Sequence, residues 1–333
     1  MTTFIDLHRS DFNLTSELSS AAPFDADILW RDAAGDNVLW LMNNNTPSTV
    51  ATLPLVTPDW HFKAAANFDA GTTGSDIDAD ILWQNDNGSL ALWQMNGTTV
   101  SAIHALPDPG PTWHVVADDD FNGDTGDDVL FQNDNGALAM WTGISAATGA
   151  VAGFGGVPGM LPALHSPGPT WHVVGTGDIN GDQRAAILWQ NNNGALALWE
   201  NSEFAPVFFD FSAKFALPTV DPSWHVKGMA DLNHDNRADI VFQNDSGAVA
   251  VWDLPAGSTP AVDLVNINPG PAWHIAGLRD IDGDGRADIL FQNDNGAAAV
   301  WENFELLGAI ATFDTVLPIT PNPNPNGHVW DLL

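Results

Sequence analysis

A unit near fifty residues long recurs from one end of the chain to the other, and few folds can accommodate such a pattern. Its clearest copy runs from Trp273 to Trp301, WHIAGLRDIDGDGRADILFQNDNGAAAVW, and aligned copies run Trp224–Trp252, Trp171–Trp199 and Trp113–Trp141. A looser copy spans Trp60–Trp93, and a truncated one opens at Asp25 and ends at Trp40. The aromatic residue just before the Gln-Asn pair marks the period. It falls at Trp30, Trp83, Phe131, Trp189, Phe242 and Phe291, in steps of 53, 48, 58, 53 and 49. A period of about fifty made of short strands predicts a propeller or a similar array, because each copy can bury its apolar face only against the next.

Within one unit the strand signals are WHIAGL, then ADILFQN after an acidic loop, then an Asn-Gly turn, then AAAVW. Short β-branched and aromatic runs around Asn-Gly are a strong hairpin signal. The turn recurs at Asn87-Gly88, Asn135-Gly136, Asn193-Gly194, Ser246-Gly247 and Asn295-Gly296. A fourth, outermost strand is expected in the variable segment between units, for example within residues 205–217. Four antiparallel strands repeated six times predict an all-β, six-bladed β-propeller. It forms one domain over residues 1–333, with blades at 25–59, 60–112, 113–170, 171–223, 224–272 and 273–326.

Residues 1–24 do not match the repeat. The truncated copy lacks its first strand, while residues 327–333 carry a His328-Val329-Trp330 fragment resembling the start of a unit. Pairing the C-terminal strand with the N-terminal blade would remove an exposed sheet edge, so residues 327–333 are expected to close the ring.

The acidic loop carries the most specific spacing. In the last unit Asp280, Asp282, Asp284, the Arg286 carbonyl and Asp288 place oxygens at positions 1, 3, 5, 7 and 9 of a loop. A hard cation that takes six to eight oxygens is wrapped in this way, and Gly285 at the sixth position permits the tight bend. Matching sets are Asp231, Asn233, Asp235, the Arg237 carbonyl and Asp239, and Asp120, Asn122, Asp124, the Gly126 carbonyl and Asp128. The fourth loop keeps Asp178, Asn180, Asp182 and the Arg184 carbonyl but has Ala186 at the ninth position, which predicts weaker binding. The second loop is longer, with Asp69, Asp76 and Asp80 as its candidates. The first has only Asp25 and Asp27 and is expected to bind nothing. One such loop could be explained by the turn preference of Asp, Asn and Gly. Three complete copies in register point to calcium instead. Helices do not flank the loop and no Glu follows at the twelfth position, so it is not an EF-hand.

The DxDxDGxxD loop followed by a strand and a glycine turn resembles the FG-GAP/VCBS repeat family. Its integrin α-subunit members form calcium-bearing β-propellers. The resemblance covers about residues 25–301 and implies that the loop joins the first and second strands of a blade around a structural metal. Departures are Ala186, the expanded second loop, and six units where integrins have seven.

Charge constrains function further. Nine Lys and Arg stand against 42 Asp and Glu, a formal net charge of −33. Such a surface repels phosphate backbones and anionic membranes, which excludes nucleic acid and membrane insertion as expectations. Divalent cations would relieve the self-repulsion. There is no Cys, hence no disulfide, thiol nucleophile or thiolate site. The N-terminal stretch lacks a basic region followed by an apolar one, so no cleavable signal peptide is expected. A calcium-dependent acidic chain still suits secretion, by way of a C-terminal signal.

Fifteen Trp and no Tyr make the aromatic usage unusual. Trp40, Trp93, Trp141, Trp199, Trp252 and Trp301 close the third strands, and Trp60, Trp113, Trp171, Trp224 and Trp273 open the first, each followed by His. Exposed indoles could stack on sugars, but residues fixed by a repeat are expected to pack blade against blade. The repeated His are expected to hold structural hydrogen bonds or to contribute to a repeated ligand pocket. The pairs Gln84-Asn85, Gln132-Asn133, Gln190-Asn191, Gln243-Asn244 and Gln292-Asn293 either satisfy turn backbone or offer a polar pocket to sugar hydroxyls.

No catalytic signature is present: there is no G-x-S-x-G, H-E-x-x-H or P-loop, and Glu occurs only at 17, 200, 203, 302 and 305. The reading is a secreted, calcium-stabilised propeller, monomeric or weakly oligomeric, that binds a glycan or another extracellular protein. The competing classes are a polysaccharide lyase or hydrolase with one central site, and a purely structural module.

Overall fold

A computed structural model describes residues 27–43, 46–68, 79–124, 126–145, 150–153, 166–200, 213–254, 261–265, 268–306, 310–319 and 330–332. Among these, all regular structure is β, and it forms six four-stranded antiparallel units, the arrangement of a six-bladed propeller. The second unit shows the plan, with strands Trp60–Ala66, Asp80–Asn85, Leu90–Asn96 and Thr99–Ala105 paired in that order. The third, fourth, fifth and sixth units begin at Trp113, Trp171, Trp224 and Trp273 and repeat it. The fourth-unit outer strand is described over Ala213–Leu217, within the expected residues 205–217, of which 205–212 lie outside the described residues.

The first unit draws strands from both ends of the chain. Trp330–Leu332 pairs antiparallel with Ile28–Asp32, matching Trp30 to Leu332, Arg31 to Asp331 and Asp32 to Trp330. It takes the place that the Trp60–Ala66 strand holds in the second unit. The edge of Ile28–Asp32 is thereby covered, as the two incomplete copies suggested. The Trp330 side chain lies outside the described residues.

The last two units depart from the repeat. The sixth has long third and fourth strands, Ala298–Leu306 and Ile310–Pro318. Its fourth strand reaches the outer strand of the fifth, Ala261–Val265, and pairs with it in parallel through Leu264–Ile310 and Val265–Ala311. An eight-stranded sheet results. Two outer edges that would each leave backbone groups unpaired are joined.

The period-two alternation sends one face of each strand into the neighbouring unit. The second-strand aromatics Trp30, Trp83, Phe131, Trp189, Phe242 and Phe291 are all buried and lie 4.5–5.2 Å, centroid to centroid, from the third-strand Trp40, Trp93, Trp141, Trp199, Trp252 and Trp301. Tilted and edge-on pairs of this kind add about 1 kcal/mol each to their burial. The apolar clusters straddle successive units: Leu188 of the fourth packs with Phe242 and Trp252 of the fifth, and Val241 of the fifth with Phe291 and Trp301 of the sixth. Leu290, Ala298 and Ile319 of the sixth pack with Trp30 and Trp40 of the first. The indole N–H groups of Trp30, Trp83 and Trp189 find no partner among the described residues, which explains why Phe serves equally at this place in the other units.

Every first strand from the second unit to the sixth carries a bulge at its fourth residue, between Phe62 and Ala64, Val115 and Ala117, Val173 and Gly175, Val226 and Gly228, and Ile275 and Gly277. The extra residue sharpens the twist just before the acidic loop.

Candidate metal centre

The acidic loops join the first and second strands of their units, as the resemblance implied. Asp280 follows the strand ending at Arg279, and Asp288 is the first residue of the next strand. The local sequence builds this turn through side chain to backbone bonds. Asp280 Oδ1 accepts from the Gly283 and Asp284 N–H groups (2.7 and 3.1 Å), and its Oδ2 from Gly285 N–H (2.8 Å). Asp282 accepts from Asp284 N–H, Asp284 from Arg286 N–H, and Asp288 Oδ2 from Ile281 N–H (2.8 Å). These bonds fold three carboxylates inward: one oxygen each from Asp280, Asp282 and Asp288 lie within 4.8 Å of one another.

The loop of the fifth unit repeats the pattern. Asp231 accepts from Asp235 and Asn236 N–H, Asn233 from Asp235 N–H, Asp235 from Arg237 N–H and Asp239 from Leu232 N–H. So does that of the third, where Asp120 accepts from Asn122, Gly123 and Asp124 N–H, Asp124 from Gly126 N–H and Asp128 from Phe121 N–H. In the fourth, Asp178 accepts from Asn180, Gly181, Asp182 and Gln183 N–H, and Asp182 from Arg184 N–H. Two positions of the loop are left-handed. The sixth is Gly285, Gln183 or Asn236 (φ +85°, +65°, +62°), and the fourth is Gly283, His234, Gly181 or Gly123. The sequence reading found the first of these and missed the second. At Gln183, His234 and Asn236 a side chain pays about 1 kcal/mol for the geometry that glycine adopts freely.

Burial and mutual repulsion perturb these carboxyls. Burial pushes Asp239 and Asp288 up to about 8 and Asp280 to about 6, and it holds Asp128 well above the carboxylate range. In each loop the neighbouring carboxylates add to the rise, against the backbone N–H groups that favour ionisation. A site made only of oxygens, with buried carboxyls too crowded to ionise freely, fits a hard divalent cation that would supply the missing positive charge. In the third and fourth loops an amide N–H₂ stands among the carboxylates. Asn122 Nδ2 donates to Asp124 and Asp128 (3.0 and 3.3 Å), and Asn180 Nδ2 donates to Asp182 and Glu200.

The ninth-position carboxyl of the second unit takes another role. Asp80 is buried and accepts from Met95 N–H at 2.9 Å, as Asp27 does from Met42 N–H in the first unit. Asp69 and Asp76 lie outside the described residues, as does Asp25.

Successive loops are connected. The N–H groups of Asp127, Ala185, Ala238 and Ala287, each just before a ninth position or its equivalent, donate to the carbonyls of Asn67, Asp120, Asp178 and Asp231 in the preceding unit (2.6–3.3 Å). His234 Nδ1 also reaches the Gly285 carbonyl at 2.7 Å. The loops therefore form a hydrogen-bonded belt from the second unit to the sixth.

The Gln residues bridge units. Gln84 Nε2 donates to the Trp113 carbonyl (2.7 Å) while its Oε1 accepts from Val115 N–H (3.0 Å). Gln132 bonds Trp171 and Val173 in the same way, and Gln243 bonds Trp273 and Ile275. Each amide copies a strand residue and satisfies the free inner edge of the next unit. Gln190 reaches Trp224 more loosely, at 3.5 Å. Arg31 takes this place in the first unit, donating to the carbonyls of Trp60, Val56 and Thr57 and lying 5.2 Å above the Trp83 ring. The Asn partners bond their own turn and the residue just before the first strand of their unit. Asn85, Asn133, Asn191, Asn244 and Asn293 accept from the N–H two residues on, and all but Asn293 also donate to Asp59, Thr112, Thr170 and Ser223 respectively.

The repeated His are hydrogen-bonded: His61, His114, His225 and His274 pair with Asp86, Asp134, Asp245 and Asp294 at 2.7–2.8 Å, and His172 with Asn192. All the third-strand Trp rings are buried and offer no face to a sugar, whereas the first-strand Trp rings are half-buried.

Residues 231–291, from the first position of the fifth loop to the aromatic of the sixth unit, match the sequence model of a family described as FG-GAP-like repeat. No curated protein sequence matches the chain. Among solved structures, the chain is similar to one in the crystal structure of the mitotic checkpoint complex, at 12% identity over 94% of this chain and 88% of that one, with a TM-score of 0.45. It is also similar to the Dos1 propeller (12%, 89% and 67%, TM-score 0.42) and to a chain of BBS1N in complex with ARL6DN, soaked with mercury (13%, 82% and 73%, TM-score 0.40).

Proposed function

We propose that this FG-GAP-like repeat propeller is an extracellular, calcium-stabilised platform that binds another protein. The observation that supports the metal is the convergence of the Asp280, Asp282 and Asp288 oxygens within 4.8 Å of one another, on a loop whose geometry recurs in three further units. Asp280, Asp282, Asp284, the Arg286 carbonyl and Asp288 would hold the ion, with the corresponding residues of the third and fifth loops and, more weakly, the fourth. Bound calcium would supply the positive charge that lets the buried carboxyls ionise, and so tie the first strand of a blade to the second. Extracellular calcium modules work at calcium levels of about 10⁻⁴–10⁻³ M, which suits a chain stabilised by calcium outside the cell.

The partner is read from the surface. The outer strands of the first two units and the loop after the first carry exposed apolar side chains, Val50, Leu55 and Ile103, each about 60% exposed. Set in a chain of net charge −33, these exposed apolar side chains suit a protein partner that offers apolar contacts and a basic surface.

Native mass spectrometry and thermal melting in calcium and in EDTA test the metal. Three strongly bound ions and a fourth weaker one are expected. Each contributes about 2.7 kcal/mol at a hundredfold excess of calcium over its Kd. Identical melting in the two conditions refutes the reading. For the partner, cross-linking in the native culture is expected to concentrate around Val50, Leu55 and Ile103, and an even spread over the surface refutes it. Fractionation of the same culture tests secretion, which intact protein confined to the cytosol would overturn.

A further inference from the structure

The residue after the third-strand Trp differs among units in a way the repeat does not explain. It is Glu302 in the sixth, Asp253 in the fifth and Glu200 in the fourth, but Thr142 in the third and Gln94 in the second. Glu302 is the most informative. It is only 6% exposed, and its Oε1 is buried without a hydrogen-bond partner among the described residues. The charged groups that act on it are Asp282 and Asp284, and it acts in turn on Asp288. A carboxylate that lies within electrostatic reach of three others, with one oxygen buried and without a donor among the described residues, is costly unless a cation stands nearby.

We propose that Glu302 is a further ligand of the sixth-unit cation, reaching it from the third strand, and that Glu200 and Asp253 serve the fourth and fifth units in the same way. This rests on the reading of the loops as calcium sites. Asp253 lies within electrostatic reach of Asp235 and Asp239, the fifth and ninth positions of its loop. Glu200 contacts Asn180, the third position of the fourth loop. In that loop the ninth carboxylate is replaced by Ala186, and Glu200 returns the lost negative charge from a different strand. Glu200 therefore strengthens the fourth site beyond what its loop, with Ala186 at the ninth position, provides alone. The position after the third-strand Trp separates units with a strand-borne ligand from the third unit, which relies on its loop.

The test uses the whole chain with calcium alone as the probe. Calcium titrations, followed by calorimetry and native mass spectrometry, compare the unmodified protein with Glu302→Gln, Asp288→Asn and the double variant. Glu302→Gln preserves shape and removes charge. It is expected to weaken one site about tenfold, the scale on which ligand-shell changes act, and to add little in the Asp288→Asn background, where that ion is already lost. In EDTA it should raise the melting temperature by relieving repulsion, while shrinking the rise that calcium produces. Should Glu302→Gln fail to fold, the less buried Glu200→Gln carries the same test, with loss of the fourth ion as the expected result. If Asp288→Asn removes an ion and neither Glu variant changes affinity, the proposal is overturned and the loop sites stand. If the unmodified protein binds no calcium, the loop sites fall and the proposal falls with them.

Discussion

Replacing Gln243 by Leu probes how adjacent blades are held together, because the two side chains have similar volume and only the amide is lost. Gln243 is buried, donates to the Trp273 carbonyl at 2.8 Å and accepts from Ile275 N–H at 3.0 Å. Each bond contributes about 1 kcal/mol net, and each backbone group left buried without a partner costs about 1–3 kcal/mol. Leucine recovers some apolar burial, so a net loss of about 3 kcal/mol is expected. With a urea slope of about 3 kcal/mol/M, the unfolding midpoint falls by about 1 M at unchanged slope. Gln190→Leu is the internal comparison. Its amide lies 3.5 Å from the Trp224 carbonyl, so the loss there should be less than half as large. A loss below about 1 kcal/mol at Gln243, or equal losses at both sites, would refute the view that these amides serve as missing strand partners.

Other consequences can be checked as directly. In EDTA, Asp239 and Asp288 titrate near 8 in the folded chain and near 4 unfolded, so the folded state holds the extra protons and its stability rises as pH falls from about 8 toward 4. The gain is up to about 1.4 kcal/mol per group for each pH unit crossed. In calcium, protons compete with the ion and the trend should reverse, whereas parallel melting curves against pH would contradict both statements. Deleting residues 327–333 uncovers the edge of Ile28–Asp32, and light scattering should report concentration-dependent aggregation with a lowered melting temperature; deleting residues 1–5 should have the smaller effect. Gly136→Ala places a Cβ 2.2 Å from the Gly168 backbone at φ +86°, but Gly168→Ala meets open space at φ +95°. Both carry the left-handed strain of about 1–2 kcal/mol, and only the first adds a clash, so denaturant titration should find Gly136→Ala clearly the more destabilising.

The features that repeat inside one unit are legible in the order of its residues. The spacing of Trp, Phe and Asn-Gly is enough to place three strands and a hairpin per blade, because strand periodicity and turn chemistry act over a few residues. Even there the turn differs in detail. In each turn whose angles are described, only the Gly has positive φ, so Gly88 and its equivalents cap a type I turn rather than completing a type I′ pair. The carboxylates of Asp280–Asp288 were legible for the same local reason, and the complementary fragments at the two termini revealed the strand that joins them. Relations between units were not legible. Gln84 and Gln243 look like turn residues, yet their amides span about thirty residues to satisfy the next blade. The belt linking Asp231 to Ala287, the parallel pairing of Leu264 with Ile310, and the approach of Glu302 to Asp282 likewise join residues that no local pattern connects. A repeat records what each copy does to itself. Only packing against its neighbours decides which backbone edges and which charges are left for another copy to satisfy.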